Sequence, residues 1–220
     1  MIKIRISSLN KSTKTRVKVP VHRKSGTFLE YRLKGRDSPT TYDSMPNHVE
    51  INPEALETMN KRAAQSLSMG RELSSSLDSE KGKMSLGKSN VGDECSCSIR
   101  PGVLGVWHSH PGTEEQNTDT FSLLDVINTV RFKIPIMMAQ TCYNDRVWAA
   151  IPSDETATIK DKRQKLNKWE LLGEKEDQGT AEGRSSAQDY RIHVKKLCDE
   201  FKIKLYQGKN GILKEYDGTW

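Results

Sequence analysis

Residues 101–111, PGVLGVWHSHP, restrict the fold of this chain more than any other stretch. The run is dense in apolar side chains and a proline stands at each end. A short apolar run between such breakers reads as a strand buried on both faces, which belongs inside a sheet. It needs neighbouring strands and a helical cover. Asn52, Pro53 and Glu54 open a helix as N-cap, first helical residue and first-turn acid. Leu56, Met59, Ala63 and Leu67 then repeat at helical spacing and predict one apolar stripe, ending near Gly70. Ser122 opens a second, shorter helix, SLLDVINTVRF. The expected fold class is α/β, a mixed, mostly antiparallel sheet flanked by these helices.

Strand signals surround that centre. Ile2, Ile4 and Ile6, then Val17, Val19 and Val21, alternate at period two and predict half-buried strands within residues 1–36. Residues 37–48 read as loop. Residues 71–91 predict two strands about a Lys81-Gly82 bend, and 92–98 a further short one. IPIMMAQTCY and RVWAAI predict strands about Asn144-Asp145. Residues 153–188 are polar, with GEKEDQGTAEGRSS read as a mobile stretch. A helix at 188–201 would carry Tyr190, Val194, Leu197 and Phe201 on one face, and a hairpin would then turn at Asn210-Gly211. The chain thus divides into a basic β-rich segment (1–48), a core (49–152), and a linker with helix and hairpin (153–220). Whether the attachments pack on the core or form a second domain stays open.

Composition narrows the classes. Of 220 residues, 34% are hydrophobic and 29% charged. No apolar run approaches the roughly 18–20 residues of a membrane span. The opening MIKIRISSLNKSTK lacks the apolar stretch of a secretory signal. Cys95, Cys97, Cys142 and Cys198 form no CxxC pair, so a reducing, cytoplasmic setting is expected, with each cysteine a small buried apolar residue. The net charge is +6, and residues 1–36 hold eleven basic residues against Glu30 alone, a local +10. Such an arm suits an acidic protein surface or nucleic acid, or is a β segment with a wet basic face. No helix-turn-helix, zinc finger or RNA-stacking signature accompanies it.

The chemistry gathers at His108-Ser109-His110-Pro111. On a strand, residues i and i+2 share a face, so two imidazoles converge from one rigid element. Pro111 ends the strand beside a polar loop, where a site can open to substrate. Ser122 is placed as N-cap of the next helix and Asp125 as its third residue, able to turn toward the histidines. His108, His110 and Asp125 would supply three metal ligands and leave a fourth position for water, the open arrangement of catalytic zinc. Zn²⁺ brings the pKa of such a water to about 7. A general base outside the ligand set is then needed, and Glu72, opening the strand after the 53–69 helix, could reach the metal. Trp107 points to the opposite face, into the core. His22, His48 and His193 show no partner spacing.

A glutamate on the first core strand, then His-Ser-His-Pro, then Ser-x-x-Asp opening a helix, resembles the JAMM (MPN+) metalloprotease family over about residues 50–152. The resemblance implies a zinc-dependent isopeptidase acting on ubiquitin-like tails or another protein substrate. By position it implies His108, His110 and Asp125 as zinc ligands, Glu72 as general acid/base, and Ser122 as the hydroxyl stabilising the tetrahedral intermediate. Ser109 receives no chemical role. Two departures stand out. The ten residues GTEEQNTDTF before Ser122 make a long loop and bring in Asp119 as an alternative third ligand. The LSSSL after Glu72 is unusually polar, and Glu57 and Glu94 are its rivals.

Overall fold

The computed structural model describes residues 41–80, 83–93, 97–112, 120–181 and 187–218. The strands expected in residues 1–36, and with them the basic arm and its partners, lie outside these, as do Glu94, Cys95 and Asp119.

The elements run β1 (His48–Glu50), α1 (Pro53–Met69), β2 (Leu73–Glu80), β3 (Lys83–Val91), β4 (Gly105–His110), α2 (Leu123–Arg131), β5 (Met137–Thr141), β6 (Arg146–Pro152), α3 (Lys162–Ala181), α4 (Ala187–Glu200), β7 (Ile203–Lys209) and β8 (Ile212–Glu215). Short 3-10 turns lie at Tyr42–Ser44 and Asp154–Thr158. The strands form one sheet in the order β1-β8-β7-β6-β5-β4-β2-β3. The fold class is α/β with a mostly antiparallel sheet; β4 pairs parallel to β5, and the other described pairs are antiparallel. A parallel pair needs a crossover, and α2 provides it.

The strand of residues 105–110 is interior, as its apolar density requires, with β2 and β5 as neighbours. Alternation sends its side chains into two cores. Val106 joins Met137, Ala139, Trp148, Ala150 and Leu205 beneath α2 and α4. Trp107 joins Leu73, Met138, Ala149 and Tyr206 beneath α1. Gly105 opens β4 at φ +141°, where an added Cβ would lie 1.9 Å from the Ile136 carbonyl oxygen, so only glycine fits.

The expected stripe on α1 is shifted. Ala55, Met59, Ala63 and Ser66 are its buried residues, while Leu67 is exposed. Small side chains let the helix approach the sheet, and Ser66 is buried because its hydroxyl is hydrogen-bonded, which apolar patterning does not register. Asn52 stands at the N-cap without a capping hydrogen bond; its amide donates instead to Glu54 Oε2 at 3.2 Å.

Three further expectations are corrected. His48–Glu50, at the edge of the expected loop, forms β1 because it pairs with β8. The described residues of 92–98 lie outside any strand. Much of 153–188 is ordered, with α3 taking in 173–181 of the stretch read as mobile. That helix has little apolar periodicity of its own. It is held by buried Leu166, by Trp169 Nε1 donating to Glu200 at 2.7 Å, and by Arg131 donating to both Glu170 oxygens at 3.2 and 2.7 Å.

The C-terminal helix and hairpin pack on the core. Tyr190, Val194, Leu197 and Phe201 are buried in it, and β7 continues the sheet beside β6. Asn210 and Gly211 both take positive φ, as a tight two-residue hairpin turn requires. Cys97, Cys142 and Cys198 are buried free thiols. No helix among the described residues is long and apolar enough to cross a membrane.

Candidate metal centre

The centre lies where β4 ends and α2 begins. His108 and His110 project from the same face of β4, and their Nε2 atoms stand 3.0 Å apart. Asp125 Oδ2 completes the group, 3.4 Å from His108 Nε2 and 3.9 Å from His110 Nε2. Tetrahedral coordination with bonds of 2.0–2.1 Å sets neighbouring ligand atoms about 3.3 Å apart. The three observed separations bracket that figure, so the residues fit a single small cation, and all three ligand atoms lie within 4.8 Å of one another. His108 and Asp125 are buried and His110 is part-buried.

Local sequence explains the aim of Asp125. Ser122 caps α2, its Oγ accepting from the Asp125 N–H at 3.0 Å while Asp125 Oδ2 accepts from the Ser122 N–H at 2.9 Å. This reciprocal box fixes the carboxylate in the first helical turn. The next donor, the Leu123 N–H, is accepted by the Tyr190 hydroxyl at 2.9 Å, so α4 braces the same helix start. The Ser122 hydroxyl proton is itself committed to Asp125 Oδ2 at 2.7 Å.

Electrostatics follow from burial and mutual proximity. Burial disfavours charge on Asp125, but His108 and His110 outweigh it and hold the carboxyl well below its usual range. Burial disfavours protonation of His108, yet Asp125 raises it. Burial, then His108, push His110 down to about 4. Both Nδ1 atoms are buried without a hydrogen bond of ordinary geometry. The backbone of Met138 beside His108 and of Thr120 beside His110 nonetheless favours their protonated forms.

Glu72 sits immediately before β2 and is 8% exposed. Ser74 pairs with His108 across the β2–β4 ladder. Alternation therefore puts Glu72 on the face of the histidines, and two residues further along that register it reaches the level of His110. It lies outside the group of three ligand atoms. Burial raises its pKa to about 7, with His108 and the Cys97 thiol lowering it and Asp125 raising it. A carboxyl poised near neutrality suits proton transfer. Of its rivals, Glu57 lies on the exposed side of α1 paired with Lys61 at 2.6 Å, away from this chemistry. His48 and His193 are not in the ligand group.

Three contributors escaped sequence reasoning. Cys97 hydrogen-bonds Glu72 across 25 positions of sequence. Tyr190 reaches Leu123 from another helix, and Ser109 turns out to be hydrogen-bonded rather than a spacer. Only for Ser109 was there a local signal, as the hydroxyl between two same-face histidines must point into the opposite core.

No family model, curated protein or solved structure matches the chain.

Proposed function

We propose that this chain is a zinc-dependent hydrolase that cleaves a peptide or isopeptide bond in a protein substrate such as a ubiquitin-like conjugate or precursor. The observation that carries the reading is the convergence of His108 Nε2, His110 Nε2 and Asp125 Oδ2 at tetrahedral spacing, with the buried Glu72 carboxyl on the same face. Two imidazoles and one carboxylate suit zinc, and three protein ligands leave a position for water. The order of Glu72, His-Ser-His-Pro and Ser-x-x-Asp along the chain supports the JAMM resemblance.

Zinc held there would supply a polarised, readily deprotonated water. Glu72 takes up a proton at its carboxylate and delivers it to the leaving amine nitrogen. Asp125 Oδ2 and the Ser122 N–H hold the start of α2 while this occurs. In the described arrangement the Ser122 hydroxyl donates to Asp125 Oδ2. To stabilise a substrate oxyanion it must turn that proton outward, which requires the carboxylate lone pair it occupies to be engaged elsewhere.

The test is metal analysis of the purified protein beside His108→Ala, with cleavage of a ubiquitin-like fusion followed in parallel. Stoichiometric zinc in the wild type, lost in His108→Ala, and a Glu72→Gln variant that keeps zinc but loses cleavage are expected. A wild type without zinc sinks the reading. A zinc-loaded wild type that cleaves nothing favours a non-catalytic scaffold of the same fold.

A further inference from the structure

We propose that Ser109 and Ser66 form a buried hydroxyl relay that positions Glu72 relative to the two histidines from behind the sheet; its effect on turnover rests on the hydrolase reading above. Ser109 stands between His108 and His110 on β4, so its side chain points to the opposite face, toward α1. Both hydroxyls are fully buried. Ser109 Oγ accepts the Leu73 N–H at 2.9 Å and donates to Ser66 Oγ at 2.7 Å, and Ser66 Oγ donates to the Arg71 carbonyl at 2.6 Å. This assignment gives each hydroxyl proton one acceptor, and the buried Cys142 thiol lies within hydrogen-bond reach of both hydroxyls.

Arg71 and Leu73 are the two residues that flank Glu72. The relay therefore ties both sides of the proposed base to the residue between the proposed ligands. The β2–β4 ladder itself begins only at Ser74↔His108. Beyond that pair the Glu72 backbone turns to the other side, its N–H donating to the Asp93 carbonyl and its carbonyl accepting from Gly92, each at 2.8 Å. The serines continue the connection to β4 where the ladder stops. The His110 carbonyl is held by the Cys142 N–H at 3.0 Å, so the end of the histidine strand is itself fixed to the residue just past β5. Base and ligands thus share one rigid frame, which proton transfer over a short distance demands. Ser109 and Ser66 are positioning residues: they touch neither substrate nor metal.

The experiment uses the full-length, zinc-loaded protein with two readouts. One is exchange of the Leu73 amide followed by NMR. The other is kcat and KM on ubiquitin carrying a fluorogenic C-terminal amide. In Ser109→Ala the Leu73 amide should exchange faster by about tenfold or more, because the hydroxyl that accepts it is gone. Zinc content should hold, kcat should fall about tenfold to a hundredfold, and KM should stay within about twofold. Ser109→Thr keeps the hydroxyl and should restore both readouts. Ser66→Ala should be milder, since Ser109 Oγ can donate instead to the Leu73 carbonyl at 3.3 Å. Unchanged Leu73 exchange in Ser109→Ala, or a loss confined to KM, would overturn the proposal. If zinc-loaded wild type cleaves nothing, the hydrolase reading fails separately, and Leu73 exchange still decides whether the relay holds the Glu72 segment.

Discussion

Asp125 Oδ2 stands 3.4 Å from His108 Nε2, with both side chains buried. The same oxygen accepts the Ser122 N–H at 2.9 Å, so the atom placed to bind a metal also caps the helix. The two roles separate by substitution. Asp125→Asn keeps an acceptor for Ser122 but removes the charge. It should weaken zinc by at least about a hundredfold, and it costs the metal-free protein the favourable interaction of this carboxylate with His108 while sparing the cap. Asp125→Ala should lose zinc equally and destabilise the metal-free fold by about a further 1 kcal/mol, the ordinary cost of a lost cap. Zinc competition with a chromophoric chelator and urea unfolding in excess chelator read the two effects. Equal stability of both variants would contradict the capping role.

The raised pKa of Glu72 predicts a pH signature in metal-free protein. Its ordinary value of 4.5 rises to about 7 on folding, so the folded chain holds this proton more tightly than the unfolded one. Stability from this group is full below pH 4.5 and is lost as pH rises through about 7. Glu72→Gln does not titrate, and relative to wild type it should gain stability across that window by roughly 3 kcal/mol. His110 acts in the opposite sense. Its value is lowered from 6.5 to about 4, so its contribution is present above pH 6.5 and lost as pH falls through about 4. Subtracting the two urea series, wild type and Glu72→Gln, removes the groups Glu72 does not touch and leaves Glu72 together with its coupling to His108. Parallel curves from pH 4.5 to 8 would show that the carboxyl is not buried as described.

Tyr190 predicts a long-range effect on the centre. Tyr190→Phe removes the acceptor of the buried Leu123 N–H at the first residue of α2. A buried unsatisfied donor costs about 1–3 kcal/mol. Part of that loss should appear as weaker zinc binding, because the disturbed turn carries Asp125. Zinc affinity identical to wild type, with stability alone reduced, would show that α4 supports the fold without aiming the ligand.

The convergence of His108, His110 and Asp125 was legible in the sequence because its geometry is local. His108 and His110 are two apart on a strand, and Ser122 and Asp125 are three apart at a helix start, so backbone periodicity alone sets their directions. Glu72 was reachable through strand order, since an antiparallel neighbour of β4 returns it to the same end. The supports were not legible. Ser66 and Ser109 are 43 positions apart, and Tyr190 lies 67 from Leu123. Such pairs exist only once the helices are docked. Helix α3 was missed because its order comes from partners such as Glu200 and Arg131 rather than from an apolar stripe of its own. The shifted face of α1 has the same origin, a serine made acceptable in the interior by a partner that pattern reading cannot see.

The parallel pairing of β4 with β5, reached by a crossover through α2, puts His110 and Asp125 at the facing ends of two elements that are anchored independently. One end is pinned where the His110 carbonyl meets Cys142, the other by the α2 cap and Tyr190. His110 and Asp125 are therefore held by contacts that lie outside the connection between them, so a substitution can loosen one while the other keeps its place.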